Sequence, residues 1–490
     1  MTNNASTQTI KHKSRQSILW YTTVPFALHF LRFASSILLA RILDPADFGV
    51  MGIAAFILYY CNSVTEFGLA KAIVQRKVAE PDHYNAYFCF NLFISIVLFI
   101  VFQLTSGYVA DFFNESVIED ALEVYAIMFL ISAFIAVPQA KLKRELSYKA
   151  LAIIEAAKVM CSISISLSLA LNGFGLWSLI YSVLIAQALA LLLTKRAAHM
   201  RYALVFKMPY FKSLLRFGAW DFFWGQMKLI GDNIDKLILG KVLGVTALGF
   251  YDKAIGLARM PNEQFSNRLS SVSFSTFSRL QENPEEVHDS FTKMMVVNAT
   301  VIFPLFVGLA AVSENFTLVL LGEKWLPMVS SLAILSITYL IASLTSPIVS
   351  MNSALGYIKQ QSLVRFAAVV MLIIGLIQFA PLGIEAASYT LLAFYIVLLL
   401  LSYVLMRRKL SISIGTVLGS FFPPFIASLV MFFGVELIQT QVLQSSAVLN
   451  LLAAIGVGFV SYGLCFLIFP FRQWGFLRTK VINTMLAKLR

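Results

Sequence analysis

Long apolar segments separated by short polar connections run through almost the whole chain. Turn signals and charged residues divide the sequence into about fourteen segments, each long enough to cross a membrane as a helix of about 20 residues. The segments lie near residues 18–40, 48–70, 86–107, 117–138, 150–171, 174–194, 214–239, 247–270, 291–312, 326–350, 363–382, 384–406, 415–437 and 447–469. The pattern predicts an all-α polytopic membrane protein with about fourteen transmembrane helices.

Two connections between apolar segments have related sequences. LARILDPADFG occupies residues 39–49 and LGKVLGVTALG occupies residues 239–249, and each copy ends one apolar segment and opens the next. The matching pairs are Leu39 with Leu239, Arg41 with Lys241, Ile42 with Val242, Leu43 with Leu243, Phe48 with Leu248 and Gly49 with Gly249. Duplicated halves are typical of transporters whose substrate site lies between the halves. The repeat therefore predicts two pseudo-symmetric lobes around a central cavity.

Composition supports a membrane location and charge predicts the orientation. The mean hydropathy is +0.79, and only 13% of the residues are charged, about half the fraction of a soluble protein. About 29 of the 38 lysines and arginines fall in loops and tails on the side of the N-terminus, which predicts that both termini are cytoplasmic. Basic loops facing anionic lipid headgroups also explain the net charge of +13 without any nucleic acid.

The seventh and eighth spans carry charged residues at helical spacing. In the seventh, Asp221, Lys228, Asp232 and Asp235 recur at steps of seven, four and three residues, which predicts one charged face on a helix. In the eighth, Asp252, Gly256, Arg259 and Glu263 repeat this pattern at steps of four, three and four. Lys236 lies off the centre of the first stripe and Lys253 off the centre of the second, so both are weaker candidates for binding a ligand.

A stripe of this kind is too expensive to face lipid. Each charge at mid-membrane costs roughly 2.5–3.5 kcal/mol, so the five charges of the seventh span, counting Lys236, would cost on the order of 13 kcal/mol. The stripe is therefore expected to face a water-filled cavity or protein partners. Pairing of Lys228 with Asp232 at i, i+4 is the purely structural alternative.

The first two spans contribute matching polar groups. His29, Arg32 and Ser36 share one face of the first span, and Glu66 interrupts the second. Together with the repeat partners in spans seven and eight, these residues are expected to line one hydrophilic chamber. By contrast, Glu155 and Lys158 in the fifth span are three residues apart and are expected to satisfy each other.

Several classes of chemistry have no motif in this sequence. It contains no GxxxxGK[ST] phosphate loop, no HExxH and no GxSxG, and its four cysteines form neither a CxxC pair nor a cluster with histidine. No metal site, cofactor or catalytic centre is therefore expected. The connections on the far side, such as DPAD and NGFG, are too short to hold a folded domain. Together these features argue against an enzyme.

The opening pattern LLARILDPADFG with EFGLAKAIVQRK, and the later stretch from DKLILGKVLGVTALGFYDKAIGLARMP to SSVSFSTFSRLQ, resemble the polysaccharide flippases of the Wzx type. The branch with the colanic acid and teichuronic acid exporters is the most similar. The resemblance covers at least residues 18–282. It implies membership of the superfamily that also holds multidrug antiporters and the lipid II flippase. In such proteins two lobes of six helices enclose a central cationic cavity.

The resemblance implies a division of this chain into five parts. They are a cytoplasmic tail at 1–17, an N-lobe at 18–210 with spans 1–6, a C-lobe at 211–410 with spans 7–12, spans 13 and 14 at 411–470, and a cytoplasmic tail at 471–490. In the last part, Trp474 and Leu477 interleave with Arg478 and Lys480. This spacing suits an amphipathic helix lying on the inner membrane surface.

The residues and the resemblance together predict an exporter in a bacterial inner membrane. Its substrate would be a polyprenyl-diphosphate-linked oligosaccharide moved to the outer leaflet by alternating access. Arg32, Lys228 and Arg259, with His29, Lys236 and Lys253, are the expected contacts to the headgroup. Charge tuning, or binding of a coupling proton or sodium ion, is expected of Asp221, Asp232, Asp235, Asp252, Glu66 and Glu263. Membrane lipid is the surrounding partner, and the resemblance implies glycosyltransferases and a polysaccharide polymerase acting on the same carrier.

Two other functions compete with this prediction. A cation-coupled drug or metabolite antiporter of the same superfamily would favour carboxylates over basic residues in its cavity. The lysines and arginines in spans one, seven and eight argue against it. A membrane glycan polymerase or ligase would need larger outer loops than this chain has.

Overall fold

The computed structural model describes residues 26–66, 69–76, 79–200, 203–205, 207–211, 226, 229–410, 412–441, 446–475 and 477–479. The chain divides into two compact units, Met1–Gly249 and Phe250–Arg490. All regular elements in the described residues are helices, and no strand occurs among them. The predicted all-α class of a polytopic membrane protein is confirmed.

The first unit is built from eight described helices and the beginning of a ninth. They are α1 (26–42), α2 (Pro45–Glu66), α3 (Leu69–Gln75), α4 (Pro81–Phe113), α5 (Val117–Tyr125), α6 (Ile127–Arg144), α7 (Tyr148–Leu171), α8 (Leu176–Ala198) and α9 (Ile234–Pro261). Helix α6 packs against α3, α4 and α8, and α7 packs against α8. A buried cluster that includes Ile73, Tyr87 and Val137 joins α3, α4 and α6.

The second unit begins within α9 and continues through eight further helices. A π-helical turn, Asn262–Ser266, leads to α10 (Asn267–Leu280), α11 (Pro284–Ala311), α12 (Ser313–Leu320), α13 (Val329–Ala354), α14 (Ile358–Phe379), α15 (Ile384–Leu410), α16 (Ile414–Gln441) and α17 (Ala447–Ile468). Helix α13 packs against α10, α11 and α15, and α16 packs against α11 and α17. Proline at N1 and Asn283 at the N-cap define the start of α11, because the Asn283 side chain accepts from the amides of Glu285 and Glu286.

Within the described residues, eleven helical segments are long and apolar enough to cross a membrane. They are Pro45–Thr65, Pro81–Phe113, Val117–Arg144, Tyr148–Leu171, Leu176–Ala198, Pro284–Ala311, Glu323–Ala354, Ile358–Leu382, Ile384–Arg408, Ile414–Thr440 and Ala447–Ile468. They correspond to the predicted spans two to six and nine to fourteen. The predicted first and seventh spans extend outside the described residues. The predicted eighth span, 247–270, is described and helical but is not among the eleven, so the total of fourteen stays a prediction.

Helix α17 shows how such a segment divides between protein and lipid. Its buried side carries Asn450, Leu451, Ala454, Gly458 and Cys465, which are small or polar except for Leu451. Its exposed side carries large apolar residues, namely Val448, Leu449, Leu452, Ile455 and Phe459. Small residues let neighbouring helices approach closely inside a membrane, whereas large apolar side chains suit lipid. The distribution is that of a lipid-facing helix.

Both repeat copies contain a break between two helical segments in the structure. In the first copy α1 ends at residue 42 and α2 begins at Pro45. In the second copy α9 is broken at the aligned position by Gly244, whose φ of 81° and ψ of 174° are outside the helical region. Only glycine adopts such a conformation readily, because it has no Cβ. Each copy is therefore a break followed by a new helix.

The copies also contact each other reciprocally through their glycines. A Cβ at Gly49 would lie 1.8 Å from the carbonyl oxygen of Val245, and a Cβ at Gly249 would lie 1.8 Å from the carbonyl oxygen of Pro45. Residues 45 and 245 are equivalent in the repeat, as are the two glycines, so the contacts obey a local two-fold relation. Such backbone-to-backbone packing of small residues is a common helix contact in membranes.

Two prolines inside membrane helices release carbonyl oxygens, and side chains from neighbouring helices bind them. Pro304 in α11 has no N–H to donate to the Thr300 carbonyl, which instead accepts from the Tyr462 hydroxyl of α17 at 2.8 Å. Pro347 in α13 likewise cannot donate to the Ser343 carbonyl. That carbonyl instead accepts from the side-chain amide of Asn298 at 2.8 Å. Neighbouring helices thus satisfy backbone groups that lipid cannot.

Tyr462→Phe is expected to lower stability because it leaves the Thr300 carbonyl without its donor. The loss should be roughly 1–2 kcal/mol, as for a buried interhelical hydrogen bond. The apparent melting temperature of the purified protein in detergent should fall by a few degrees. Tyr389→Phe is the matched control, since Tyr389 is 59% exposed on α15, and it should leave the melting temperature unchanged. Equal melting temperatures for both variants would contradict a role for the Tyr462 hydroxyl.

The described residues after α17, 471–475 and 477–479, pack on the protein. Trp474 is fully buried, and its indole N–H donates to the Thr300 hydroxyl at 2.9 Å. The Arg478 Nε donates to the Phe466 carbonyl at 2.7 Å, and its guanidinium lies 5.8 Å from the Trp474 ring. The amphipathic spacing predicts that the tail lies on the inner membrane surface. Within its described residues, Trp474 is instead buried in the protein, because its indole finds both an apolar pocket and an acceptor there.

Candidate functional site

The first unit brings three of the charged residues singled out in the sequence into one cluster. The Arg32 guanidinium on α1 lies 2.5 Å from Oε1 of Glu155 on α7. The Lys158 ammonium lies 2.7 Å from Oε2 of the same carboxylate. The expected pairing of Glu155 with Lys158 is confirmed, and the contact with Arg32 is additional. We call Arg32, Glu155 and Lys158 the α1–α7 cluster.

The α1–α7 cluster is neither buried nor at a helix end. The side chains of Arg32, Glu155 and Lys158 are 46%, 39% and 30% exposed. Lys158 is ten residues from the start of α7, which is about 15 Å along a helix and about half of a bilayer's hydrocarbon thickness. Ionised groups at this depth are too costly to face lipid. The open side of the cluster is therefore suited to water or a polar ligand.

Other predicted residues of the first unit are arranged differently from the expectation. Asp232 and Asp235 were expected on one continuous helix, but the structure has a turn at 232–233 and α9 begins at Ile234. The sequence Gly231-Asp232-Asn233 explains the break, because all three residue types favour turns. Asp235 is buried in the first turn of α9, where its carboxylate accepts the backbone N–H of Lys236 at 3.0 Å. A carboxylate there is stabilised by the helix dipole.

In the second unit, Arg259 lies next to an aromatic residue of α13. Its Nε donates to the Tyr339 hydroxyl at 2.9 Å, and the guanidinium carbon lies 5.6 Å from the ring centroid. Asp252 and Arg259 are half-buried and Gly256 is exposed, whereas Tyr251, Ala254 and Ala258, which lie off this stripe, are fully buried. The predicted polar stripe is therefore the open side of α9 in this unit.

Two further candidates of the second unit lie away from the centre of this stripe. Lys253 is 6% exposed, and its ammonium lies 5.7 Å from the centroid of the Trp325 ring. Glu263 is exposed but falls in the π-helical turn that follows Pro261, so it does not continue the 3.6-residue register of α9. Helical spacing alone could not detect this change of register.

The remaining candidates are only partly described. His29 is half-buried on α1, one turn before Arg32. Asp221 and Lys228 lie outside the described residues, as does the side chain of Glu66.

The sequence had no signal for the most informative contacts. Arg32 and Glu155 are separated by 123 residues, and Arg259 and Tyr339 by 80. Tyr339 and Trp325 lie in apolar stretches where an aromatic residue is unremarkable. Local spacing found the charged residues but could not identify their partners.

Comparison with known proteins identifies the family. The family described as "Polysaccharide biosynthesis protein" matches residues 38–330, more than half of the 490-residue chain. The chain belongs to this family. It is 25% identical over 436 residues to the teichuronic acid biosynthesis protein TuaB of Bacillus subtilis (strain 168), covering 86% of this chain and 88% of TuaB. It is also 25% identical over 347 residues to the lipopolysaccharide biosynthesis protein WzxC of Escherichia coli (strain K12), covering 70% of each.

Solved structures with the same fold come from membrane transport proteins. The lipid II flippase MurJ in an inward closed conformation matches with a TM-score of 0.77 at 14% identity, over 91% of this chain and 98% of MurJ. An inward-facing MATE family multidrug transporter of the MOP superfamily matches with a TM-score of 0.64 at 12% identity, over 81% and 98%. The resemblance to Wzx-type flippases drawn from the sequence is confirmed. The protein is a multi-pass membrane protein of the polysaccharide biosynthesis family.

Proposed function

We propose that this protein moves a polyprenyl-diphosphate-linked oligosaccharide from the inner to the outer leaflet of a bacterial cytoplasmic membrane. The observation that carries the proposal is one half-open cationic side chain in each unit, Arg32 on α1 and Arg259 on α9. A guanidinium binds phosphate through several N–H donors and keeps its charge at any physiological pH. Membership of the polysaccharide biosynthesis family supports the same cargo.

The cationic groups would hold the diphosphate while the polyprenyl chain stays in lipid. Asp252, Asp235 and Asp232 would tune the cations or bind a coupling proton or sodium ion. Alternating access would keep the route closed on one side at all times. A glycosyltransferase and a polymerase acting on the same lipid carrier would supply and consume the cargo. Both termini would lie in the cytoplasm, as the distribution of basic residues predicts.

The membrane potential is large enough to drive export. Moving one charge across 100 mV is worth about 2.3 kcal/mol, so a diphosphate with about two negative charges gains roughly 4.6 kcal/mol on leaving a negative interior. No nucleotide hydrolysis is needed at this magnitude. A potential imposed across proteoliposomes, negative on the side from which the lipid leaves, should therefore accelerate movement.

Arg32→Ala and Arg259→Ala are expected to slow flipping by at least about tenfold, the effect of losing one hydrogen bond to a charged group. The assay would follow labelled lipid-linked oligosaccharide in proteoliposomes as it becomes accessible to an impermeant reagent outside. Lys293→Ala is the matched control, because Lys293 pairs at 2.6 Å with Asp289 in an exposed i, i+4 bridge. Unchanged rates in both arginine variants would contradict the proposed headgroup contacts.

A further inference from the structure

Glu155 holds two cations at once, and each cation binds a different oxygen of the carboxylate. Arg32 contacts Oε1 at 2.5 Å and Lys158 contacts Oε2 at 2.7 Å. A phosphate group binds a guanidinium and an ammonium in the same way, through separate oxygens that carry negative charge. The carboxylate therefore occupies the position that an anionic ligand would take between these two side chains.

The charges of the α1–α7 cluster favour an exchange of anions. With Glu155 in place, the three side chains sum to one positive charge. Arg32 and Lys158 alone carry two, which matches the roughly two negative charges of a diphosphate ester. A diphosphate placed between them would neutralise both cations, whereas a single carboxylate leaves one charge over. The two cations can therefore bind one more negative charge than Glu155 supplies.

Exposure makes the exchange physically accessible. All three side chains are between 30% and 46% exposed, so a ligand can approach them without unpacking a core. Half-exposed ion pairs add little to the stability of a fold, and breaking this one does not require the helices to separate. Lys253 of the second unit is different, since it is buried against Trp325 and offers no such approach.

We propose that Arg32 and Lys158 form a two-cation site for the phosphate groups of the lipid-linked substrate, and that Glu155 is the resident counter-ion which the substrate displaces. The proposal rests on the proposed function and deepens it. Lys158 becomes a second headgroup contact in the first unit. Glu155 becomes a specificity-determining residue, because an anion too weakly charged to displace its carboxylate would not bind between the two cations.

Binding of farnesyl diphosphate, a short and soluble polyprenyl diphosphate, tests the proposal in the purified full-length protein. Glu155→Gln should tighten binding by about fivefold, because the competing charge is removed while the side chain keeps its size. Lys158→Gln and Arg32→Gln should weaken binding by a similar factor. Glu145→Gln is the matched control, since Glu145 pairs with Lys141 on α6 at 3.9 Å in the same unit, and it should bind as the unmodified protein does.

The opposite signs separate a ligand site from a structural ion pair. A purely structural role predicts that Glu155→Gln and Lys158→Gln both weaken binding or leave it unchanged, and either result would overturn the proposal. Tightening by Glu155→Gln together with weakening by Lys158→Gln supports it. Flipping by the unmodified protein is measured separately. If the lipid-linked oligosaccharide is flipped but Glu155→Gln binds no tighter, the counter-ion role fails while the transport function stands; if nothing is flipped, the transport proposal fails.

Discussion

Gly49→Ala and Gly249→Ala are each expected to prevent accumulation of correctly folded protein. The added Cβ would lie 1.8 Å from a backbone carbonyl oxygen in both cases, on Val245 and on Pro45. No rotamer change relieves an overlap between two backbones, so α2 and α9 must move apart. Overpacking usually costs about 1–3 kcal/mol, and this case should exceed about 3 kcal/mol. Yield of monodisperse protein and its melting temperature in detergent provide the measurement.

Gly256→Ala is the matched control for the glycine variants. Gly256 lies further along α9, and a Cβ there meets nothing within 4 Å. Alanine is also a better helix former than glycine, so this variant should be as stable as the unmodified protein or slightly more stable. Normal yield and melting temperature for Gly49→Ala or Gly249→Ala would show that the two repeat copies do not pack as closely as the structure indicates.

Trp474→Ala is expected to destabilise the second unit by about 3–5 kcal/mol, the usual cost of deleting a large buried aromatic side chain. The change empties a pocket formed with Val296, Ala427 and Cys465 and removes the donor to Thr300. The apparent melting temperature in detergent should fall by at least about 6 °C. The experiment also distinguishes a Trp474 that is packed in the protein from one that lies on the membrane surface, since only the packed residue should affect the melting temperature.

Phe459→Ala is the control for Trp474→Ala. Phe459 is also an aromatic residue of the second unit, on α17, but its side chain is 83% exposed. Removing an aromatic ring that faces lipid or detergent should change the melting temperature little. If both variants melt at the same temperature as the unmodified protein, Trp474 is not part of the packed unit, and the tail is better described as lying on the membrane.

The sequence predicted the helices well because lipid imposes one simple rule on them. A segment such as Ala447–Ile468 must be apolar for about 20 residues, so its limits can be read from hydropathy within a few residues. The turn at 232–233 was missed because charges every three or four residues hid the turn-forming Gly-Asp-Asn sequence. The burial of Trp474 was missed because surface and buried amphipathic helices have the same spacing.

The candidate site was predicted residue by residue but not as contacts. Charged residues within apolar segments are rare, so Arg259 could be predicted from its charged stripe and Arg32 from its place in the repeat. Glu155 and Lys158 were expected to pair because they are one helical turn apart. Nothing local links Arg32 to Glu155, since that contact depends on how α1 packs near α7. For the same reason, the repeat showed that Gly49 and Gly249 are equivalent in sequence but could not show that each packs against the other copy.

The prolines of the second unit have a consequence for the order in which the chain is assembled during synthesis. The carbonyl released by Pro347 is satisfied by Asn298, which emerges from the ribosome before it. The carbonyl released by Pro304 must wait for Tyr462, which is translated 162 residues after Thr300. Helix α11 therefore enters the bilayer incomplete, and a chain that stalls before α17 should be recognised by membrane quality control as unfinished.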